Sequence, residues 1–213
     1  WDALALLSAG ATYATFLSRE STGAPLASVQ GMLLVYWLLF EAADILRIRS
    51  GRDEGRFGPS LMVLNALAGL GASAAIWNRM APSSDIWQYC AASAALYLVS
   101  TAIRFRLGAA GQTRCEFALA ASALMAGLAI FAHVPGIWVS VGMMAEAEAL
   151  FLAGLALGLG WARPLSLIAF AAAATQITSS PALALLAAVF YANRYLAREA
   201  RYFGYAASAM AAI

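Results

Sequence analysis

All thirteen basic residues of this 213-residue chain are arginine, and they fall between long apolar stretches, in alternate connections. Arg47, Arg49, Arg52 and Arg56 are followed by Arg79 alone, then by Arg104, Arg106 and Arg114. After that come none around Pro135, Arg163, none around Ser179, and finally Arg194, Arg198 and Arg201. This is the positive-inside rule repeated along one chain, with eleven arginines on one side of a bilayer and two, Arg19 and Arg79, on the other. The expected fold is all-α, a polytopic transmembrane helical bundle of the bacterial inner membrane, its arginine-rich loops cytoplasmic.

Composition points the same way. Hydrophobic residues make up 63% and charged ones 11%, with a mean hydropathy of +0.76, against roughly 45–50% apolar residues in an average soluble domain. The lipid bilayer is therefore the main partner. A net charge of +2, spread over the ends of spans, excludes the basic stripe that a nucleic-acid partner needs. The chain opens at Trp1 without a methionine and stops at Ile213 inside an apolar run, so residues 1–213 read as a single transmembrane domain, a piece of a longer protein.

A bilayer core of about 30 Å takes about 20 residues of helix. Between the arginine clusters the windows run from Asp2 to Leu17, Pro25 to Leu46, Pro59 to Asn78, Ile86 to Ile103, Cys115 to His133, Ile137 to Leu159, Pro164 to Thr178 and Pro181 to Leu196, with a ninth beginning near Tyr202. That is about eight spans plus the start of a ninth. Pro25, Pro59, Pro164 and Pro181 stand where a helix starts, where a missing N–H costs least. Trp77, Trp87, Trp138 and Trp161 fall at span ends, the depth an amphipathic indole prefers, and Trp37 near a span centre. The seventh window is short and reads either as a full span or as half of a re-entrant hairpin. Phe40 and Arg47, Tyr97 and Arg104, and Tyr191 and Arg198 share a spacing of seven, which reads as a duplicated hairpin or as independent interfacial placement.

Carboxylates at membrane depth cost about 2.5–3.5 kcal/mol on insertion scales, so each needs a reason. Glu146 and Glu148 lie halfway along the sixth window and, two residues apart, point to roughly opposite helix faces. At least one must meet a polar partner or be protonated. Glu148, Leu152, Leu155 and Leu159 form a stripe of large side chains expected to face neighbouring helices. Glu146, Ala149, Ala153 and Ala156 form a stripe of small ones, expected to meet a second polar lining or another chain. Glu41 and Asp44 share a face close to Arg47 and Arg49. They read as an ion-paired helix end or as the acidic lining of a cytoplasmic vestibule. Asn193 and Arg194 in the eighth window, Asn65 in the third and Gln176 in the seventh complete the buried polar set, each an expected interhelical hydrogen bond. Arg194 is the one candidate counter-ion for Glu146.

Cofactor chemistry finds no foothold. One histidine, His133, cannot ligate a haem twice, and N/S metal sites lack ligands. Cys90 and Cys115 lie at opposite span ends, about 20 Å apart in depth at 1.5 Å per residue, too far for a disulfide. Gly154-Leu-Ala-Leu-Gly158 and Gly69-Leu-Gly71-Ala-Ser73 are small-residue patterns that let helices pack closely in lipid.

The stretch AALYLVSTAIRFR, a polar link and a light helix, and then IWVSVGMMAEAEALFLAGLALGLGWARPLSLIAFAAAATQI resemble the uncharacterised bacterial membrane proteins of domain of unknown function 2339, over about residues 91–177. Glu148, Leu150, Gly158 and Arg163 stand at the matching positions, and Met144 departs where a tryptophan is expected. The resemblance implies a long, many-spanning chain and no defined activity.

The sequence thus leads to a non-enzymatic scaffold or accessory subunit of a larger membrane assembly, with other membrane subunits as partners. The alternative is a transporter or proton-coupled channel using intramembrane carboxylates. An intramembrane enzyme has no HExxH, GxSxG, Cys/His pair or aspartyl pair to rest on.

Overall fold

The apolar windows fold as helices, and the charged residues at their ends join the same helices. The structure, a computed structural model, describes residues 2–18, 24–51, 59–82, 85–108 and 112–175, with positions 185, 188, 189 and 192. Seven helices follow one another: α1 (Asp2–Ser18), α2 (Leu26–Arg49), α3 (Ser60–Met80), α4 (Ile86–Arg106), α5 (Gln112–His133), α6 (Ile137–Leu157) and α7 (Ala162–Thr175). No strand occurs among the described residues. Helices α2, α4 and α5 run up to three residues further into the arginine connections than the hydropathy windows, because an arginine continues a helix as well as a leucine does.

Prolines punctuate these helices. Pro25 and Pro59 are N-caps of α2 and α3, and Pro164 sits in the first turn of α7, where no intrahelical N–H bond is lost. Gly136 (φ 62°) opens α6, and Gly158 (φ 68°) closes it with a left-handed residue.

Five helices, α2 to α6, are 21 to 24 residues long and apolar enough to cross a membrane by length and composition. This is a membrane protein of the helical-bundle class, and among the described residues five of the seven expected spans are of that length. The first and seventh windows are helical but short, at 17 and 14 residues. A run of apolar residues marks a window, whereas caps and turns decide how much of it is helix. The eighth window, of which only four helical positions are described, and the ninth lie outside the described residues. Outward positions carry large apolar side chains: Leu7 is 69% exposed, Leu67 67% and Ile168 66%. That is the surface of a chain solvated by hydrocarbon.

The chain divides into two compact units, Trp1–Ser122 and Ala123–Ile213. In the first, α1 and α2 both pack along α3. Tyr13, Leu33, Ala72 and Ile76 make one core layer, and Trp37, Met62, Ala66, Tyr97 and Ala118 another. Gly69 permits this approach, since a Cβ there would lie 3.2 Å from the Tyr13 hydroxyl and 3.3 Å from the Trp37 ring.

In the second unit Val139, Met143, Met144, Ala147 and Phe151 of α6 pack on Ala169, Phe170 and Ala173 of α7. The buried face of α6 is neither of the expected stripes, for it centres on Ala147 and runs through Met143, Leu150, Phe151 and Gly154. Methionine and phenylalanine fill the interhelical space, and of the expected leucine stripe Leu155 packs at its edge and Leu159 is buried. Leu152 is exposed.

Candidate functional site

Two polar stripes inside apolar helices build the site. On α4 the residues Tyr89, Ser93, Tyr97, Ser100 and Arg104 recur every three or four positions, and on α2 Trp37, Glu41 and Asp44 do the same. At 3.6 residues per turn each set lies on one face. The two faces meet inside the first unit, and all eight residues are buried.

Arg104 is the hub. Its side chain is fully buried, and its Nη1 donates to Glu41 Oε1 and to Ser100 Oγ, while its Nη2 donates to Asp44 Oδ2 at 2.7 Å. Ser100 Oγ also donates to Glu41 Oε1. From α5, Arg114 brings its Nη1 to 3.6 Å from Asp44 Oδ1. The planar guanidinium of Arg104 thus spans two carboxylates one helical turn apart, a task for which its fork of donors is suited. Asn65 of α3 adds the third side. Its Nδ2 donates to the Trp37 carbonyl (3.2 Å) and Glu41 Oε2 (3.4 Å), and its Oδ1 accepts from the Tyr13 hydroxyl of α1. Five helices are tied through one cluster.

The charges compensate. Glu41 and Asp44 supply two carboxylates, and Arg104 and Arg114 two guanidiniums, so the cluster is neutral as a whole. A buried pair seldom outperforms a well-packed apolar replacement, but losing one partner costs several kcal/mol. Such a cluster fixes which helix faces meet.

Above the cluster Trp37 Nε1 donates to Tyr97 Oη at 2.9 Å, with ring centroids 5.3 Å apart in an edge-to-face arrangement. Beyond this bridge the stripe continues with Tyr89, whose hydroxyl donates to the Leu70 carbonyl at 2.8 Å, and with a reciprocal pair between Gln30 and Ser73. The Cys115 thiol donates to the Thr101 carbonyl at 3.5 Å, and both cysteines are free thiols.

Expected and observed partners differ at Glu41 and Asp44. Pairing along α2 with Arg47 and Arg49 was expected, whereas the ion pairs run between helices, to Arg104 and Arg114. Both arginines read as cytoplasmic loop charges. They lie inside helices α4 and α5, 0% and 4% exposed, because the polar stripe of α4 continues past the hydropathy window. Asn65 makes interhelical hydrogen bonds. The spacing of Ser93, Tyr97, Ser100 and Arg104 was the signal that could have found the cluster.

Glu146 and Glu148 flank the buried face of α6, about 200° apart at 100° per residue, and both are half-buried. Glu146 turns toward α5, where a Cβ on Gly127 would lie 3.4 Å from its Oε2, and that oxygen is buried without a hydrogen-bond partner. Asn193, Arg194 and Gln176 lie outside the described residues.

No family model, curated protein or solved structure matches the chain.

Proposed function

We propose that this protein is a non-enzymatic integral membrane protein of a bacterial inner membrane, a scaffold or accessory subunit of a larger membrane assembly. The observation that carries the reading is the neutral cluster of Glu41, Asp44, Arg104 and Arg114. Its carboxylates are consumed in holding helices to one another, which leaves them unsuited to carrying ions and suited to presenting rigid apolar faces. Purification of the native protein in mild detergent is expected to yield a complex of fixed stoichiometry with other membrane subunits. A protein that always elutes alone as a monomer would sink the proposal. Membership of domain of unknown function 2339 belongs to the same proposal, supported by Glu148, Leu150, Gly158 and Arg163.

A transporter or proton-coupled channel using Glu146 and Glu148 is the second reading, favoured by the buried, unpartnered Oε2 of Glu146. Intramembrane carboxylates in that condition are functional candidates. For this reading the double variant Glu146→Gln with Glu148→Gln abolishes a proton-dependent flux in proteoliposomes. Flux equal to that of the unaltered protein removes it.

The orientation belongs to the proposal as well. Arg104 and Arg114 meet Asp44 at one end of the first unit, and Arg47 and Arg49 end α2 there. The positive-inside rule puts that end in the cytoplasm and the turn before α6 outside. A cysteine at the exposed Pro135 is expected to react with an impermeant maleimide in intact cells. Reaction only after permeabilisation reverses the orientation.

A further inference from the structure

Glu146 is the tenth of the 21 residues of α6, so it stands at the middle of a span, the depth at which a charge costs most in a bilayer. Within the second unit its Oε2 is sealed against Gly127 of α5. The residue is only half-buried, which leaves Oε1 at the surface of the unit, and among the described residues no hydrogen bond or ion pair reaches the carboxyl. Charges of the neighbouring helices stay away from this depth. Arg114 and Glu116 lie in the first turns of α5 and His133 ends it, while Arg163 opens α7 beside Gly154, eight residues and about 12 Å along α6 from Glu146. The exposed residues within two turns of the carboxyl on α5 and α6, Leu124, Leu128 and Leu152, are apolar. Glu41 and Asp44 each meet a guanidinium inside the fold, and Glu146 meets none.

We propose that Glu146 is the docking point for a transmembrane helix of a different subunit, one that carries an arginine or lysine at mid-depth. Charge complementarity names the occupant, because a carboxylate in hydrocarbon attracts an opposite charge far more strongly than one at a wet surface does. Ala149 and Ala153, three and seven residues on, share its face of α6, the first exposed and the second half-buried. Their short side chains let a second helix come close enough to pair. A second copy of this chain brings no such cation among its described residues, since each arginine there lies in the first or last turn of its helix. The inference deepens the scaffold reading and rests on it for the partner's existence.

The test uses the full chain made by cell-free synthesis into phosphatidylcholine liposomes, free of native partners. The probes are dansyl-labelled leucine-alanine helices of about 20 residues, enough to span the bilayer, with arginine, lysine or leucine at the centre. Energy transfer from the tryptophans of the chain reports association, and the leucine-centred helix gives the level of random encounter. The basic helices are expected to bind at least about tenfold more tightly than that reference, a difference of about 1.4 kcal/mol. Glu146→Gln keeps the side chain's shape and should remove the difference, and Ala149→Phe, at an exposed position, should weaken binding roughly three- to tenfold by holding the helix off. Both variants should keep the elution profile of the unaltered protein. Equal binding of basic and leucine-centred helices, or binding indifferent to Glu146→Gln or to Ala149→Phe, overturns the inference. Tighter binding to Arg194→Gln overturns it too, by assigning the counter-ion to the chain itself. In native membranes a complex that survives Glu146→Gln leaves the scaffold reading standing and removes this contact from it, whereas an unaltered protein that elutes alone removes the scaffold reading and leaves the liposome result to judge the site.

Discussion

Arg104→Met is expected to lower the stability of the first unit by about 3–5 kcal/mol, the cost of leaving buried charges without their partner. Methionine matches the arginine stem in length, so little packing is lost and the effect isolates the charge. What remains is Glu41 and Asp44, 5% and 0% exposed, one turn apart and both bonded to Arg104. Ordinary interhelical hydrogen bonds in membranes average only about 0.6 kcal/mol. A loss of that size would show that the cluster is held mainly by Asn65 and Ser100. The double variant Glu41→Gln, Arg104→Met removes one charge of each sign, leaves Asp44 opposite Arg114, and should recover a large part of the loss. Thermal denaturation in a fixed detergent, followed by size-exclusion recovery, measures all three. A single variant as stable as the double one would show that charge compensation is not what the cluster supplies.

Legibility followed hydropathy and stopped where polarity entered the helices. The windows located α1 to α7 because about 20 apolar residues between arginines have few alternatives to a helix. They erred at the ends, on Arg49, Arg106 and Gln112, because hydropathy measures lipid preference and a helix ends at a cap. Arg104 is the instructive case. The positive-inside rule treats every arginine as a flank, and this one is among the most buried side chains of the protein. Its four-residue step from Ser100, and the further steps to Tyr97 and Ser93, already distinguished it from Arg106, which is exposed. Partner identity was not legible. The choice between Arg47 and Arg104 for Asp44 depends on how α2 and α4 lie across α3, which no local spacing encodes. The two stripes of α6 held only in part, since Leu155 and Leu159 turn inward and Leu152 outward. Both were drawn through the glutamates, on the premise that polar residues mark the packed face. The packed face lies between them, at Met143, Ala147 and Gly154.

Gly154→Leu is expected to destabilise the α6–α7 hairpin by about 3 kcal/mol, the upper part of the range for overpacking a closed site. A Cβ at Gly154 would already lie 3.1 Å from Arg163 Cγ, 3.2 Å from Ala162 Cβ and 3.4 Å from the Arg163 backbone nitrogen. The last of these is main chain and gives way only if α7 moves. Sequence pattern pairs Gly154 with Gly158 as one small-residue motif, yet the two act differently. Gly158 is exposed and has nothing within 4 Å of its Cβ position, but its φ of +68° is a conformation L-residues resist. Gly158→Leu should therefore cost about 1–2 kcal/mol through the backbone alone. Gly71, from the other small-residue pattern, has neither constraint, and Gly71→Leu should fall within about 0.5 kcal/mol of the unaltered protein. Proteolysis in detergent of the unit that carries each substitution, the second for Gly154→Leu and Gly158→Leu and the first for Gly71→Leu, ranked across the three variants against the unaltered protein, checks the order. Gly154→Leu no more labile than Gly71→Leu would mean that α6 and α7 are free to separate at this point, and that the close approach of the two helices is not what holds the hairpin.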